Sequence, residues 1–357
     1  MSNISITSKP GGRVSDRTSF SFCLFIILMA TLVPALIPGC SAPEPAFAEA
    51  GGPEETVTKI MLASTGVAES GIRSLDLFFF NDDQQQRLDA YQRIEGNGPS
   101  AVGASRSGKK ILAVLANSPY DRYHWADVRS LEGLSEKHIH LQEEDGGRPF
   151  LSGLVRFDAG KERTITVDLA PRTARIELRS LRCDFRGRPY EGAALEDVRV
   201  YLTNASAACP LLDGPVRAPV SFVNVGRLNP GDLEGFRDPG LVCAALPGPV
   251  GSRPVFPGIR LYCYPHAEPE DSPGSPFTRL VIEGKIRGRT CYYPLAINRS
   301  DLAGDPAGIL PDRTYRFDLT FTRIGAEDPD GALEPGTLQT GLSVTDWHGQ
   351  DNTVIPF

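Results

Sequence analysis

Apolar and polar side chains alternate repeatedly along this chain with a period of two, the spacing of a strand with one buried face. Arg163 to Leu169 sets Thr164, Thr166 and Asp168 against Ile165, Val167 and Leu169. After Pro171 the pattern resumes, with Ala174, Ile176, Leu178 and Leu181 apolar and Arg175, Glu177 and Arg179 facing the other way. Pro171 cannot donate a ladder hydrogen bond and disfavours helical geometry at Ala170, so a domain boundary is expected there. Thr56 to Ala63 is the first strand predicted. Ile72 to Phe80 and Lys110 to Asn117 (KILAVLAN) are apolar on both faces, which predicts strands lying between two covered surfaces. Leu195, Val198, Val200 and Leu202 mark a further strand. Thr278 to Lys285 and Thr290 to Asn298 flank Arg287-Gly288 as a hairpin. Tyr315, Phe317, Leu319 and Phe321 alternate, and Leu338, Leu342 and Val344 lead to a last strand at Asp346-Trp347.

Helical spacing is found at Trp125, Val128 and Leu131, which predicts one short amphipathic helix over the sheet. Pro210 to Pro257 carries little pattern, and a loop of such length points to a functional or assembly role. The 36 Gly and 30 Pro disfavour a helix-rich fold and supply the turns that strands need. With 357 residues the chain has room for two domains of ordinary size. The expected fold class is therefore all-β, two mostly antiparallel β-sandwich domains with one short helix in the N-terminal one. A net charge of −7 lacks the basic face that phosphate backbones require, so nucleic acid is not an expected partner.

At the N-terminus, Lys9, Arg13 and Arg17 precede an apolar run from Phe20 to Ile37 that contains Pro34 and ends in Pro38-Gly39-Cys40. This is the layout of a signal peptide, and it is short for a spanning helix. A small residue directly before Cys40 resembles the lipobox of bacterial lipoproteins. Cys40 is then the lipidated first residue of the mature chain, whose acyl chains hold it to a bilayer. The expected division is 1–39 signal peptide, 40–55 tether, 56–170 N-terminal β-sandwich and 171–357 C-terminal β-sandwich.

Beyond the signal, the cysteines are Cys183, Cys209, Cys243, Cys263 and Cys291. Export permits disulfides, and Cys209 with Cys243, on either side of a Pro/Gly-rich segment, is the expected pair. His138 and His140 could share a strand face as metal ligands but read better as an exposed polar strand end, Glu143 to Asp145 read as a solvated loop, and Asp328 and Asp330 read as a turn rather than a calcium loop. No zinc spacing, nucleophile elbow, metalloprotease helix or phosphate loop is present, so neither enzyme activity, metal nor cofactor is expected.

Several segments in this order resemble the fimbrillin family, the FimA-like major subunits of type V pili: Ser74 to Phe80, Lys110 to Asn117, Leu151-Ser152-Gly153, Val167 to Leu178 (VDLAPRTARIEL), Thr290 to Asn298 (TCYYPLAIN), Tyr315 to Arg323 (YRFDLTFTR), Gly325 to Asp330 and Val344 to Trp347. The lipobox fits as well. The resemblance implies two transthyretin-like β-sandwiches in a lipoprotein of the cell outer membrane, a subunit or anchor of a fimbrium that assembles by strand exchange and supports adhesion. The partners implied are other fimbrial subunits, the outer membrane through the lipid, and a host or bacterial surface ligand. In the family an arginine-specific protease removes the N-terminal strand, and a neighbour's C-terminal strand fills the vacated groove. By analogy Arg73 is the candidate processing site, and Leu338, Leu342 and Val344 form the candidate donor strand. Between Cys40 and Leu75 the basic residues are Lys59 and Arg73, and Arg73 abuts the next strand, which departs from the family pattern; left uncleaved the chain resembles the anchor at the pilus base, and cleaved it resembles a shaft or tip subunit. The alternative function is a surface glycan-binding lipoprotein, with Tyr262, Tyr264, Tyr292 and Tyr293 as candidate platforms.

Overall fold

The computed structural model describes residues 54–64, 71–96, 98–214, 219, 221–267, 275–299, 308–347 and 355–356. The expected signal peptide, the lipidation candidate Cys40 and nearly all of the expected tether lie outside these residues. In the first half the strands are β1 (Glu55–Ser64), β2 (Ser74–Asn81), β3 (Leu88–Glu95), β4 (Ser100–Arg106), β5 (Gly108–Ala116), β6 (His138–His140), β7 (Leu151–Ala159) and β8 (Thr164–Pro171). The second half adds β9 (Ala174–Cys183), β10 (Glu196–Thr203), β11 (Ala205–Ser206), β12 (Ala208–Pro210), β13 (Phe222–Val223), β14 (Cys243–Ala245) and β15 (Ile259–Cys263). It closes with β16 (Arg279–Ile286), β17 (Arg289–Ala296), β18 (Arg313–Phe321), β19 (Leu338–Asp346) and β20 (Ile355–Pro356).

The first half forms a seven-stranded sheet in the order β3-β2-β5-β7-β8-β1-β4. It folds over on itself, because β7 and β8 pair only at Leu151–Pro171 and Ser152–Ala170 and then diverge. Leu77, Phe79, Leu112 and Val114 from one layer thereby meet Ile60, Ile165 and Val167 from the other in a single core. Gly103 of β4 shows how close the layers come: a Cβ there would lie 2.4 Å from Cζ of Phe79.

The opposite face of β2 and β5 carries Phe78, Phe80, Ile111, Ala113 and Leu115, and it is equally buried. Part of its cover comes from the first half, through Trp125, Val128, Leu134, Ile139 and Phe150. The remainder comes from the second half, through Leu211, Leu212, Phe236, Leu241, Val242 and Tyr264. Both-face burial explains why these two strands read as continuous apolar runs. It also changes the reading of Pro210 to Pro257. That segment contains β13, β14, a helical turn α2 (Pro230–Leu233) and a tighter turn at Pro239–Leu241. Its residues Leu211, Leu212, Phe236, Leu241 and Val242 pack onto the first half, while β14, Leu246 and Val250 join the second-half sandwich.

Helical spacing at Trp125, Val128 and Leu131 resolves into two turns. One is a 3₁₀ turn at Arg122–Trp125 and the other is α1 (Leu131–Ser135). Ser130 interrupts them with an extended φ of −149°, accepting from Gly133 N at 3.2 Å as the N-cap of α1.

In the second half, the sheet β14-β10-β16-β17 packs on the sheet β15-β9-β18-β19-β20. Val200, Leu202 and Ile282 of the first meet Ile176, Leu178, Phe317 and Leu319 of the second. The β16–β17 turn has Arg287 and Gly288 both at positive φ, as a tight two-residue hairpin requires. Each half thus owns one core, and a third apolar cluster is shared between them. The small β6–β12 ladder, with Cys209 opposite Ile139, also ties the halves together.

Candidate functional site

β1 is the element of the first half whose removal would leave a groove. It pairs antiparallel with β4 from Glu55–Arg106 to Met61–Ser100 and parallel with β8 from Lys59–Thr164 to Ser64–Leu169. Thr58 and Ile60 point into the core while Val57, 63% exposed, points out, so alternation decides which side chains a substitute strand would need. Without β1, β4 and β8 would each present an unpaired ladder edge, and the pocket now filled by Ile60 would open beneath them.

Arg73 lies at the start of β2, across the connection from β1. Its carbonyl accepts from Gly96 N at 2.9 Å, and its own N–H donates to Asn117 Oδ1 at 2.8 Å. Next along the chain, Ser74 O accepts from Asn117 N at 3.0 Å. The Arg73–Ser74 peptide bond is therefore held by neighbours on both sides, although the Arg73 side chain is exposed. A protease must first open this pairing to bind the segment as an extended substrate.

The candidate donor residues Leu338, Leu342 and Val344 sit on β19, whose nine residues all pair with β18, from Arg313–Asp346 to Phe321–Leu338. Leu342 is buried and the other two pack against the second-half core. β19 is therefore an integral strand of its own sheet. Among the described residues, the other edge of β19 pairs with β20 at Gly341–Pro356 and Leu342–Ile355.

Cys209 and Cys243 do not form the expected disulfide. Cys209 is buried on β12 in the cluster beneath the first-half sheet, whereas Cys243 is on β14 opposite Tyr201 in another sheet; all five described cysteines are free thiols. Flanking a common segment does not place two residues in one layer. Of the candidate platforms, Tyr264 and Tyr293 are fully buried core residues, and Tyr262 and Tyr292 are half-buried. The Asp328-to-Gly331 segment is a tight turn, with Asp330 N donating to Asp328 Oδ1 at 2.8 Å and the Asp330 carboxylate paired with Arg279.

Sequence reading missed a cleft beside Arg73. Arg93 of β3 is anchored there by Asp76 at 2.8 Å, by Glu95 at 2.7 Å and by the Tyr120 carbonyl at 2.8 Å. Burial pushes the Asp76 carboxyl above the usual carboxylate range, while the Tyr91 hydroxyl and Arg93 pull against that. The cleft draws residues from several distant segments, so no local signal announced it.

No family profile matches the chain, and no curated protein matches it by sequence. Among solved structures, it is similar to a cell adhesion protein of Bacteroides eggerthii at 17% identity, covering 82% of this chain and 96% of that one with a TM-score of 0.63. It is similar to a fimbrilin (FimA) of Porphyromonas gingivalis at 16% identity, 82% and 97% coverage and a TM-score of 0.60. It also matches the tip fimbrial protein Mfa3 of Porphyromonas gingivalis, solved with a C-terminal truncation, at 12% identity, 82% and 100% coverage and a TM-score of 0.50. The chain has the fimbrillin fold, all-β and in two sandwiches.

Proposed function

We propose that this protein is a structural subunit or membrane anchor of a cell-surface fimbrium, assembling by β-strand exchange. The observation that carries the reading is β1, a strand joined to the rest of the sheet by pairing with β4 and β8 and followed by the connection that ends at Arg73. Loss of β1 would leave a groove that an extended segment from another subunit could fill, with ladder bonds giving attachment and alternate side chains giving specificity. Because β19 is fully paired within its own sheet, the natural donor is the segment beyond Trp347 that includes β20, held by only two register pairs.

Lipidation at Cys40 would retain the chain at the outer membrane, and the pairing on both sides of the Arg73–Ser74 bond supports an anchor that keeps β1. Deleting residues 348–357 leaves β19 intact and is expected to abolish incorporation into fibres. Detergent-resistant ladders of normal length from this truncated protein on the native surface would sink the strand-exchange reading. Arg73→Ala then places the subunit: unchanged size and assembly mark an anchor, and loss of processing and assembly marks a shaft or tip subunit.

A further inference from the structure

The cleft beside Arg73 has a volume of about 280 Å³ and brings Arg73, Arg93, Arg148 and Arg237 together against Asp145 and Glu95. Arg93 is neutralised by Asp76 and Glu95. The other three guanidinium groups are in no ion pair among the described residues. They come from three separate places: the start of β2, the turn after Asp145, and the segment of the second half that covers the first. Each backbone is fixed. Arg148 N donates to Asp145 O at 2.8 Å, Arg237 N donates to Gln142 O at 2.8 Å, and Arg73 N donates to Asn117 Oδ1 at 2.8 Å.

Like charges held in one concave site repel one another, and the molecule as a whole carries a net charge of −7. Such an arrangement is favourable when an anion bridges the guanidinium groups, since planar arginine forks match a carboxylate in bidentate geometry. The walls also offer neutral partners suited to hydroxyl groups. Asn117 lines the cleft and keeps a second amide hydrogen beyond the one given to Pro149 O, and Ser118 Oγ, which accepts from Tyr120 N at 3.2 Å, retains its own hydrogen to donate. Charged and amide groups dominate the lining, with Pro119 as its apolar contribution, so an apolar ligand has little to bury there. We infer that this cleft binds a carboxylated monosaccharide unit, with Arg148 and Arg237 clamping the carboxylate and Asn117 and Ser118 meeting ring hydroxyls.

The inference is independent of fibre assembly, since the cleft is present whether or not the chain polymerises. Calorimetric titration of the purified protein with glucuronate, glucose, sulfate and a glutamate-terminated peptide tests it. Glucuronate should bind in the millimolar range, more weakly as salt rises, while glucose should give no heat. The double variant Arg148→Gln/Arg237→Gln should weaken glucuronate at least tenfold. Both side chains are exposed and, among the described residues, outside any ion pair, so its melting temperature should match that of the parent, and Arg148→Gln alone provides a milder check. Unchanged glucuronate affinity in either variant, or binding of glucose as tight as glucuronate, overturns the assignment. Equal or tighter binding of sulfate or of the peptide overturns the saccharide assignment as well.

Discussion

Tyr264 donates its hydroxyl to Glu144 Oε1 at 2.9 Å, joining the two halves of the molecule through a carboxyl that is only 4% exposed. Oε2 of the same group accepts from Phe150 N at 3.0 Å. Burial pushes the Glu144 carboxyl from 4.5 up to about 7, and the two hydrogen bonds offset only part of that cost.

The sign of the resulting pH dependence follows from which state holds the proton. Below the ordinary carboxyl value both folded and unfolded chains are protonated, and above the raised value both are ionised. Between them the folded state binds more protons, so stability falls as pH rises from 4.5 to about 7. This amounts to about 3 kcal/mol at full extent. Glu144→Gln should remove that contribution and be more stable than the parent at pH 8, as measured by urea unfolding across pH. Parallel stability curves for the two proteins would refute the account.

Asn117 lies at φ 59°, and its side chain bridges two segments, accepting from Arg73 N and donating to Pro149 O at 3.2 Å. Asn117→Gly keeps the left-handed backbone accessible and deletes only these bonds. Loss of one such bond is worth about 1 kcal/mol, so cleavage at Arg73 by trypsin should accelerate by roughly fivefold to tenfold. Mass spectrometry of early digestion products gives the rate, and an unchanged rate would show that Asn117 does not guard the bond.

Gly153 of β7 faces β8 where a Cβ would lie 2.2 Å from the Asp168 carbonyl oxygen. That atom is backbone and cannot swing aside. Gly153→Ala should cost about 1–3 kcal/mol, read as a drop in thermal midpoint. A neutral outcome would mean that β7 and β8 can separate freely at this point.

Burial pushes the Cys183 and Cys209 thiols each up to about 12, and drives Cys263 higher still. These thiols should resist iodoacetamide in the native protein and react once it is denatured, with Cys243, the half-buried one, reacting first. Recovery of a Cys209–Cys243 cross-linked peptide under non-reducing conditions would contradict the separation of these residues into different sheets.

We propose that the boundary near Ala170 separates two folding units, because one core draws only on residues before it and another only on residues after it. The chain from residue 171 should then give a strand-type circular dichroism spectrum. It should also bind a hydrophobic dye through Leu211, Leu212, Phe236 and Val242, which the first half normally covers. A molten spectrum would count against independent folding.

Alternation along the sequence was sufficient to locate β1, β8, β9, β16, β17, β18 and β19, because a strand with one buried face writes its orientation into every second residue. Double burial of β2 and β5 was equally legible from their unbroken apolar runs. Neither pattern could say what would supply the second cover. Pro210 to Pro257 carries little pattern, since much of it packs as short turns whose apolar side chains reach the first half or the second-half core one or two at a time, and only the tertiary structure shows where they land. Arg73 stands out in the sequence as one of few basic residues between Cys40 and β2. Its confinement by Gly96 and Asn117, and its convergence with Arg148 and Arg237, depend on hydrogen bonds and loop placements across long separations. Sequence spacing fixes which face a side chain takes; which distant groups share that face is decided by how the sheets close over one another.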